Sequence, residues 1–251
     1  MKNTALLAWL DEQLKPQLIK DYCPNGLQVQ GKSDIKKIVT GVTASQALID
    51  AAIAQKADAI LVHHGFFWKN ENPVIVGMKH RRIKALLQHD INLFAYHLPL
   101  DVHPVFGNNA MLGKLLGVTD IKPVEGIKPE GVVMRGINSG KGDLEQFAAN
   151  LASVLQRKPL VIGEGDKTIE RVAWCTGGGQ SFIEQAADQG ADLFISGEVS
   201  EQTTHIAREM DIAYIAAGHH ATERYGAMYL GQQIAKELPL EVEFIDIPNP
   251  V

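Results

Sequence analysis

Two passages of this sequence, residues 46–65 and residues 180–199, align with each other without gaps. They match at Gln, Ile and Ala positions, and each carries an Ala-Asp pair just before an apolar run. Both passages read as a helix followed by a strand, within the alternating pattern of an α/β fold with a largely parallel sheet. Matched residues in a matched order favour an internal duplication over α/β patterning that recurs by chance.

The surrounding chain completes two such halves. Apolar runs predict strands at residues 37–42, 59–62, 91–96, 132–137, 159–162, 171–175, 193–196 and 212–216. Helical spacing predicts helices near residues 1–15, 45–56, 82–88, 144–155, 181–189 and 201–210. A Pro- and Gly-containing stretch begins near Val124, and we place the boundary there, giving repeats 1–124 and 125–251.

A second correspondence, at a slightly shorter offset, carries polar side chains. Residues 93–96 lead to His97 and Asp101, and residues 215–218 lead to His219 and Glu223. Each is an apolar strand followed by His and, four positions later, by a carboxylate. Ligands in open α/β sheets bind at the carboxyl ends of the strands, so both motifs are candidates for a site.

His63 and His64 follow the predicted strand 59–62. Adjacent side chains on a strand point to opposite faces, so both reach one site only if the strand ends at Val62. The alternatives are that each serves a different metal, or that both are surface histidines in a loop.

The other two motifs differ in their expected backbone. Pro99 discourages a helix, so we expect a loop between His97 and Asp101. His219 and Glu223 are four positions apart and share one face if a helix begins there, whereas His220 points elsewhere.

Together these motifs supply imidazoles and carboxylates, which suit zinc, iron or manganese. Five ligands exceed the need of one metal that also binds water, so the set favours two divalent ions. The predicted ligands are His63, His64, Asp101, His219 and Glu223.

Other residues suggest supporting roles. Glu198 aligns with His64 across the repeat and is either a surface acid or a general base, which His205 could orient. Residues 177–179 are glycines and form either a tight turn or a loop that presents N–H groups to an anion. Phe67 and Trp68 either pack in the core or flank a planar substrate.

Composition narrows the functional classes. A net charge of −5 argues against bulk nucleic-acid binding. The two cysteines, Cys23 and Cys175, indicate reduced thiols, and no apolar run reaches the length of a membrane span. We therefore expect a cytoplasmic protein that does not bind membranes.

The motif set resembles the NIF-three-like family, also called GTP cyclohydrolase I type 2 homologues. The resemblance rests on residues 25–29, 62–65, 97–101, 107–109, 196–198 with His205, and 218–223. It implies two intertwined, related α/β repeats with mixed sheets flanked by helices, a dinuclear metal centre and a ring-shaped homohexamer. The implied metal ligands are the five residues already selected.

The leading hypothesis is a metal-dependent hydrolase that acts on a nucleotide or related small molecule, with Glu198 or His97 moving protons. The family name implies opening of the GTP purine ring by water. The alternative is a non-enzymatic metal-binding protein with a regulatory or metal-insertion role.

Overall fold

The computed structural model describes residues 1–140 and 142–251. Its α-helices are α1 (Asn3–Leu14), α2 (Gln46–Ala54), α3 (Gly77–Gln88), α4 (Leu98–Asp101), α5 (Asn108–Leu115), α6 (Leu144–Leu155), α7 (Ile183–Asp188), α8 (Glu201–Glu209) and α9 (His219–Glu237). Its strands are β1 (Gly26–Val29), β2 (Lys37–Thr43), β3 (Ala59–His64), β4 (Asn92–Ala95), β5 (Val118–Pro123), β6 (Met134–Asn138), β7 (Leu160–Ile162), β8 (Arg171–Cys175), β9 (Leu193–Ser196), β10 (Ala213–Ala216) and β11 (Glu241–Phe244). Among the described residues, no helix combines the length and apolar character needed to cross a membrane.

One compact unit consists of Met1–Leu100 and Gly226–Pro248. Its sheet has the strand order β1-β4-β3-β2-β11 and is parallel except for β1, which runs antiparallel to β4. β2 and β3 are apolar and rich in β-branched residues, as expected of strands that are covered on both faces. Helix α2 begins after Ser45, whose hydroxyl accepts a hydrogen bond from Leu48 N.

Helices pack on both faces of this sheet because small residues let them approach. A Cβ at Gly41 of β2 would lie 2.7 Å from Leu48 of α2. On α9, a Cβ at Gly231 would lie 3.0 Å from Thr40, which points to the other face of β2. A larger side chain at Gly41 would therefore push α2 off the sheet.

The other compact unit consists of Asp101–Tyr225 and Asn249–Val251. Its sheet has the strand order β5-β6-β8-β9-β10-β7. The three strands β8, β9 and β10 are parallel, whereas β5, β6 and β7 pair antiparallel with their neighbours. Both units are thus mixed sheets with flanking helices, which confirms the predicted fold class.

The strand registers repeat between the two units. In the first unit Ile38 pairs with Ala59, and in the second Val172 pairs with Leu193. Val172 follows Ile38, and Leu193 follows Ala59, by the same number of positions that separates the aligned passages 46–65 and 180–199. The sequence duplication is therefore also a duplication of strand register.

The next ladder repeats as well, at a shorter offset, because fewer residues separate Ser196 from Ala216 than separate Val62 from Ala95. Ala95 pairs with Val62, and Ala216 pairs with Ser196 at the equivalent position. His97 follows Ala95 by two positions, whereas His219 follows Ala216 by three. The extra position is Gly218, where φ is +102°.

The matched aspartates of the repeat play the same structural role. Asp58 Oδ2 accepts hydrogen bonds from the backbone N–H groups of Lys36 and Lys37, at 2.7 and 3.0 Å. Asp192 Oδ2 accepts from the equivalent positions of the second repeat, Glu170 and Arg171, at 3.3 and 2.7 Å. Each carboxylate anchors the start of the neighbouring parallel strand.

Some elements differ from the sequence prediction. The edge strands β1, β5 and β11 and the helix α5 were not predicted. Each of these strands contains polar residues and lacks a continuous apolar run. The compact units change over at Leu100 and at Tyr225. The repeats 1–124 and 125–251 remain a prediction about duplicated sequence.

Candidate metal centre

His63 and His64 are the last two residues of strand β3, so the strand does not end at Val62. Their ring centroids nevertheless lie 4.5 Å apart, so both side chains serve one region. His63 Nδ1 lies 3.1 Å from the carbonyl oxygen of Tyr96, which can only accept, so Nδ1 carries the proton. In the neutral form of the ring, this leaves the lone pair on Nε2, the atom that a metal would use.

His97 joins these two histidines. Its ring centroid lies 5.0 Å from that of His63 and 5.8 Å from that of His64. Each of the three residues offers a ring nitrogen within 4.8 Å of the others, so the group could hold a metal ion. The sequence assigned His97 to proton transfer, whereas the structure places it among imidazoles of ligand type.

Asp21, which the sequence analysis did not select, fixes the orientation of His97. Asp21 Oδ1 lies 2.9 Å from His97 Nδ1, and Asp21 Oδ2 accepts from Asn25 Nδ2 and Leu98 N at 3.0 and 2.9 Å. Burial raises the pKa of Asp21, but the hydrogen bonds from His97 and Asn25 outweigh it and lower the pKa to about 2. The ionised carboxylate thus holds Nδ1 protonated and leaves Nε2 of His97 as the acceptor.

The segment between His97 and Asp101 is helical, so the predicted loop is wrong. Helix α4 spans Leu98–Asp101, with Pro99 in its first turn. Proline is tolerated there because the N–H groups of a first turn have no partner within the helix. Asp101, at the end of α4, accepts hydrogen bonds from Asn108 Nδ2 at 2.9 Å and from Thr176 Oγ1 at 3.4 Å.

His219 and Glu223 lie on one face of α9, as their spacing predicts. His219 Nε2 is 3.1 Å from Glu223 Oε2, and His219 Nδ1 is 2.7 Å from Glu198 Oε1. Burial lowers the pKa of His219, but its hydrogen bonds and charge interactions with Glu223 and Glu198 raise it to about 9. A metal that binds His219 must therefore displace a proton at neutral pH.

Two acidic groups are buried close together in the same unit. Asp101 and Glu223 are 5% and 2% exposed, and each offers a carboxylate oxygen within 4.8 Å of the other. Two negative charges at this separation and burial repel each other, and a divalent cation between them removes that cost. This donor set fits a metal ion.

The glycine loop after β8 makes room for one of these carboxylates. A Cβ at Gly177 would lie 2.0 Å from Glu223 Oε1, and φ at Gly177 is +65°. The N–H of Gly177 donates to Thr222 Oγ1 and that of Gly179 to Ser196 Oγ, both at 3.0 Å. These two N–H groups are used inside the unit, which favours the tight-turn interpretation over an anion cradle.

Glu198 and His205 do not form the predicted pair. Glu198 holds His219 and lies 3.4 Å from Gln180 Nε2, while His205 lies 2.7 Å from the exposed carboxylate of Glu201. Glu198 therefore orients a ligand-type histidine in the same way that Asp21 orients His97.

Aromatic side chains surround the three-histidine group. The ring of Trp68 lies 5.0 Å from that of His97, 5.9 Å from that of His64 and 6.1 Å from that of Tyr22. Tyr22 is half-exposed, whereas Phe67 points towards Lys79, whose Nζ lies 5.2 Å from the ring centroid. Trp68, more than Phe67, borders the candidate metal ligands.

Comparison with known proteins places these residues in a wider context. The family model described as Duf34/NIF3 (NGG1p interacting factor 3) matches residues 1–250. The "GTP cyclohydrolase 1 type 2 homolog" of Vibrio cholerae serotype O1 is 58% identical over 253 residues, covering 100% of both chains. The protein of the same name from Escherichia coli K12 is 53% identical, also over 100% of both chains.

Solved structures give the same result. A structural-genomics protein called ybgI, described as of unknown function, superposes with a TM-score of 0.96 at 53% identity over 100% of both chains. A protein from Thermus thermophilus superposes with a TM-score of 0.91 at 34% identity, again over 100% of both chains.

Proposed function

Because this chain belongs to the Duf34/NIF3 family, we propose that it binds two divalent metal ions and uses them for hydrolytic chemistry. The proposed ligands are His63, His64, Asp101, His219 and Glu223. The observation that carries the proposal is the pair of buried carboxylates, Asp101 and Glu223, whose repulsion a divalent cation offsets.

The orientation of the imidazoles supports the same proposal. His63 directs Nδ1 to a backbone carbonyl and His219 directs Nδ1 to Glu198, so each presents Nε2 for coordination. Mixed nitrogen and oxygen donors suit zinc, iron or manganese. Ions of this kind supply Lewis acidity and a water of lowered pKa when they are bound.

Two further residues have assigned roles in this proposal. His97, held by Asp21, keeps an acceptor nitrogen beside His63 and His64 and can take up a proton there. Glu198 fixes the ring of His219 and acts as a positioning residue, although the sequence suggested a general base. Trp68 borders the same region and offers an aromatic edge to a planar substrate.

The names of the relatives and the aromatic edge of Trp68 support one class of substrate. Relatives at 53% and 58% identity carry the name GTP cyclohydrolase 1 type 2 homolog, and we propose a nucleotide or related small molecule for this chain. A screen of nucleotides, cyclic amides and phosphoesters with metal-loaded protein tests this class. Turnover that disappears on chelation and returns with metal supports hydrolysis.

The alternative is a metal-binding protein without catalytic activity. It is favoured by the pairing of Glu198 with Nδ1 of His219, which fixes the ring of a proposed ligand and suits firm retention of a metal. Absence of turnover across the screen, together with transfer of metal to an acceptor protein, supports this alternative and contradicts the hydrolase.

Metal content is the direct test of the proposed ligands. Elemental analysis of purified protein should give about two ions per chain, since two-metal sites use a shared set of this size. The double variant His64→Ala/Glu223→Ala should lose most of this metal. His205→Ala, which removes an exposed histidine paired with Glu201, is the control and should keep it. Full loading of the double variant contradicts the assignment.

The family resemblance also implies that several copies of this chain assemble, and we propose that they form a homohexamer. Light scattering coupled to size-exclusion chromatography measures the assembled mass directly. A mass equal to that of six chains supports this state, and a monomeric mass contradicts it.

A further inference from the structure

We propose that Asp21, Cys23 and His97 form a capture site for a thiophilic divalent cation, from which the ion passes to His63 and His64. None of the five proposed ligands belongs to this trio. The transfer step rests on the proposed function, whereas capture at the trio stands independently of it.

The spacing of the three ligand atoms fits a metal. Asp21 Oδ1 lies 2.9 Å from His97 Nδ1 and 3.8 Å from Cys23 Sγ, and the ligand atoms of all three lie within 4.8 Å of one another. In tetrahedral zinc sites the sulfur and oxygen ligands lie about 3.6 Å apart and the nitrogen and oxygen ligands about 3.4 Å apart. The two separations from Asp21 Oδ1 therefore lie within about half an ångström of these values.

Hydrogen bonds hold the carboxylate of Asp21 in place for metal binding. Asp21 Oδ2 accepts from Asn25 Nδ2 and Leu98 N, so these bonds remain when Oδ1 turns to a cation. The side chains of Asp21 and His97 are only 3% and 8% exposed. Supporting hydrogen bonds of this kind orient metal ligands and strengthen their binding.

Cys23 gives the trio its chemical selectivity. Its side chain is half-buried, so a cation can reach the sulfur from solvent, whereas Cys175 is 4% exposed. A thiolate favours zinc, iron and cobalt over magnesium and calcium. Binding releases the thiol proton of Cys23 and the Nδ1 proton of His97 to solvent, and no redox change is involved.

His97 links capture to transfer. It belongs both to the trio and to the group formed with His63 and His64. Transfer would also carry the ion from a half-buried residue, Cys23, to a fully buried one, His63. A cation at the trio binds Nδ1 of His97, whose Nε2 is the acceptor left for the buried imidazoles. Transfer therefore moves the ion from one nitrogen of this ring to the other.

The test uses cobalt(II) added to chelator-treated, full-length protein without oxygen. Thiolate coordination produces a near-ultraviolet charge-transfer band, which should appear in the wild type and in Cys175→Ala. Cys23→Ser should remove this band. Cys23→Ala should remove it too, and this variant excludes metal binding by the hydroxyl of the introduced serine. Absence of the band in the wild type, or its persistence in Cys23→Ser, overturns capture.

Transfer is tested by the rate of zinc uptake at limiting zinc, followed with a chromophoric chelator. Cys23→Ser should slow uptake several-fold and leave the final metal content unchanged. Unchanged uptake overturns the transfer step. A wild type that shows the cobalt band and binds a single zinc ion, which Cys23→Ser loses, contradicts the proposed function and leaves capture standing, so the two failures are distinguishable.

Discussion

At the scale of single residues, two histidines are held by carboxylates in the same way. Asp21 engages Nδ1 of His97 and Glu198 engages Nδ1 of His219, at 2.9 and 2.7 Å. The other nitrogen of His219 lies 3.1 Å from Glu223 Oε2, and His97 shares a group of possible metal ligands with His63 and His64. The pairing of a carboxylate with an imidazole raises the basicity of the ring and fixes its tautomer.

Replacement of Glu198 tests this orienting role. Glu198→Ala should lower metal affinity by about 10–100-fold, because the ring of His219 loses the acceptor that fixes it. Glu198→Gln should lose less, since its amide oxygen still accepts from Nδ1. Competition titration against a chelator measures both affinities. Glu201→Ala, which affects only an exposed pair with His205, is the control. Equal affinity in all three variants excludes the orienting role.

A second residue-scale prediction concerns the glycine loop. Gly177→Ala places a Cβ 2.0 Å from Glu223 Oε1 and should displace this carboxylate and reduce metal binding. Gly126→Ala has a similar positive φ of +79°, but nothing lies within 4 Å of its Cβ. It should cost only about 1 kcal/mol of backbone strain and leave metal binding intact. Equal metal affinity in the two variants contradicts the close approach.

At the scale of elements, the two repeats hold a pair of neighbouring strands together in the same way. Asp58 and Asp192 each accept two consecutive backbone N–H groups from the start of the adjacent strand. Burial raises the pKa of each carboxyl, but hydrogen bonds with Lys32 and Arg171 and with the backbone outweigh it. Both pKa values therefore lie below the ordinary value of 3.8.

Neutralising either anchor should destabilise the protein. Asp58→Asn and Asp192→Asn should each lower the free energy of unfolding by about 1–2 kcal/mol at neutral pH, because charged hydrogen bonds become neutral ones. Urea unfolding measures the loss. Asp188→Asn, at an exposed position, is the control and should change it by less than about 0.5 kcal/mol.

The pH dependence of this loss has a definite sign. Because the folded pKa is lowered, each ionised carboxylate stabilises the fold above pH 3.8, and the contribution is lost as pH falls through the folded pKa. The difference between wild type and each Asn variant should therefore shrink below pH 3.8. A difference that grows on acidification contradicts the anchoring role.

At the scale of the whole molecule, each compact unit draws on two separate stretches of the chain. The first unit includes Gly226–Pro248, which supplies the edge strand β11 and most of α9. β11 pairs with β2 along residues 241–244, and Gly231 of α9 packs against Thr40. The compact units therefore do not change over at Val124, the predicted boundary between the duplicated sequences.

A fragment consisting of residues 1–124 tests this organisation. It lacks β11 and the part of α9 that covers one face of its sheet, so it should show no cooperative unfolding transition. Urea titration followed by circular dichroism measures this. The full-length chain is the reference, and a sharp transition in the fragment contradicts this organisation of the two units.

Local pattern was sufficient for much of the fold. Strand β8 and helix α6 were predicted at their observed bounds, because their apolar periodicity is strong and their ends carry ordinary signals such as Asp143 before α6. The duplicated passages also proved to lie at equal register in two ladders, β2 with β3 and β8 with β9. Pro99 misled the prediction at α4, because a single short turn accepts proline.

The sequence by itself determined which residues are of ligand type and that they follow strand ends. Only the tertiary structure decided which carboxylate orients which histidine, since Asp21 and His97 are 76 positions apart and no spacing rule joins them. It likewise decided that His97 lies with His63 and His64, and that Asp21 and Cys23 lie beside His97. Periodicity reports how a side chain faces its own element, whereas such contacts depend on how separate elements pack.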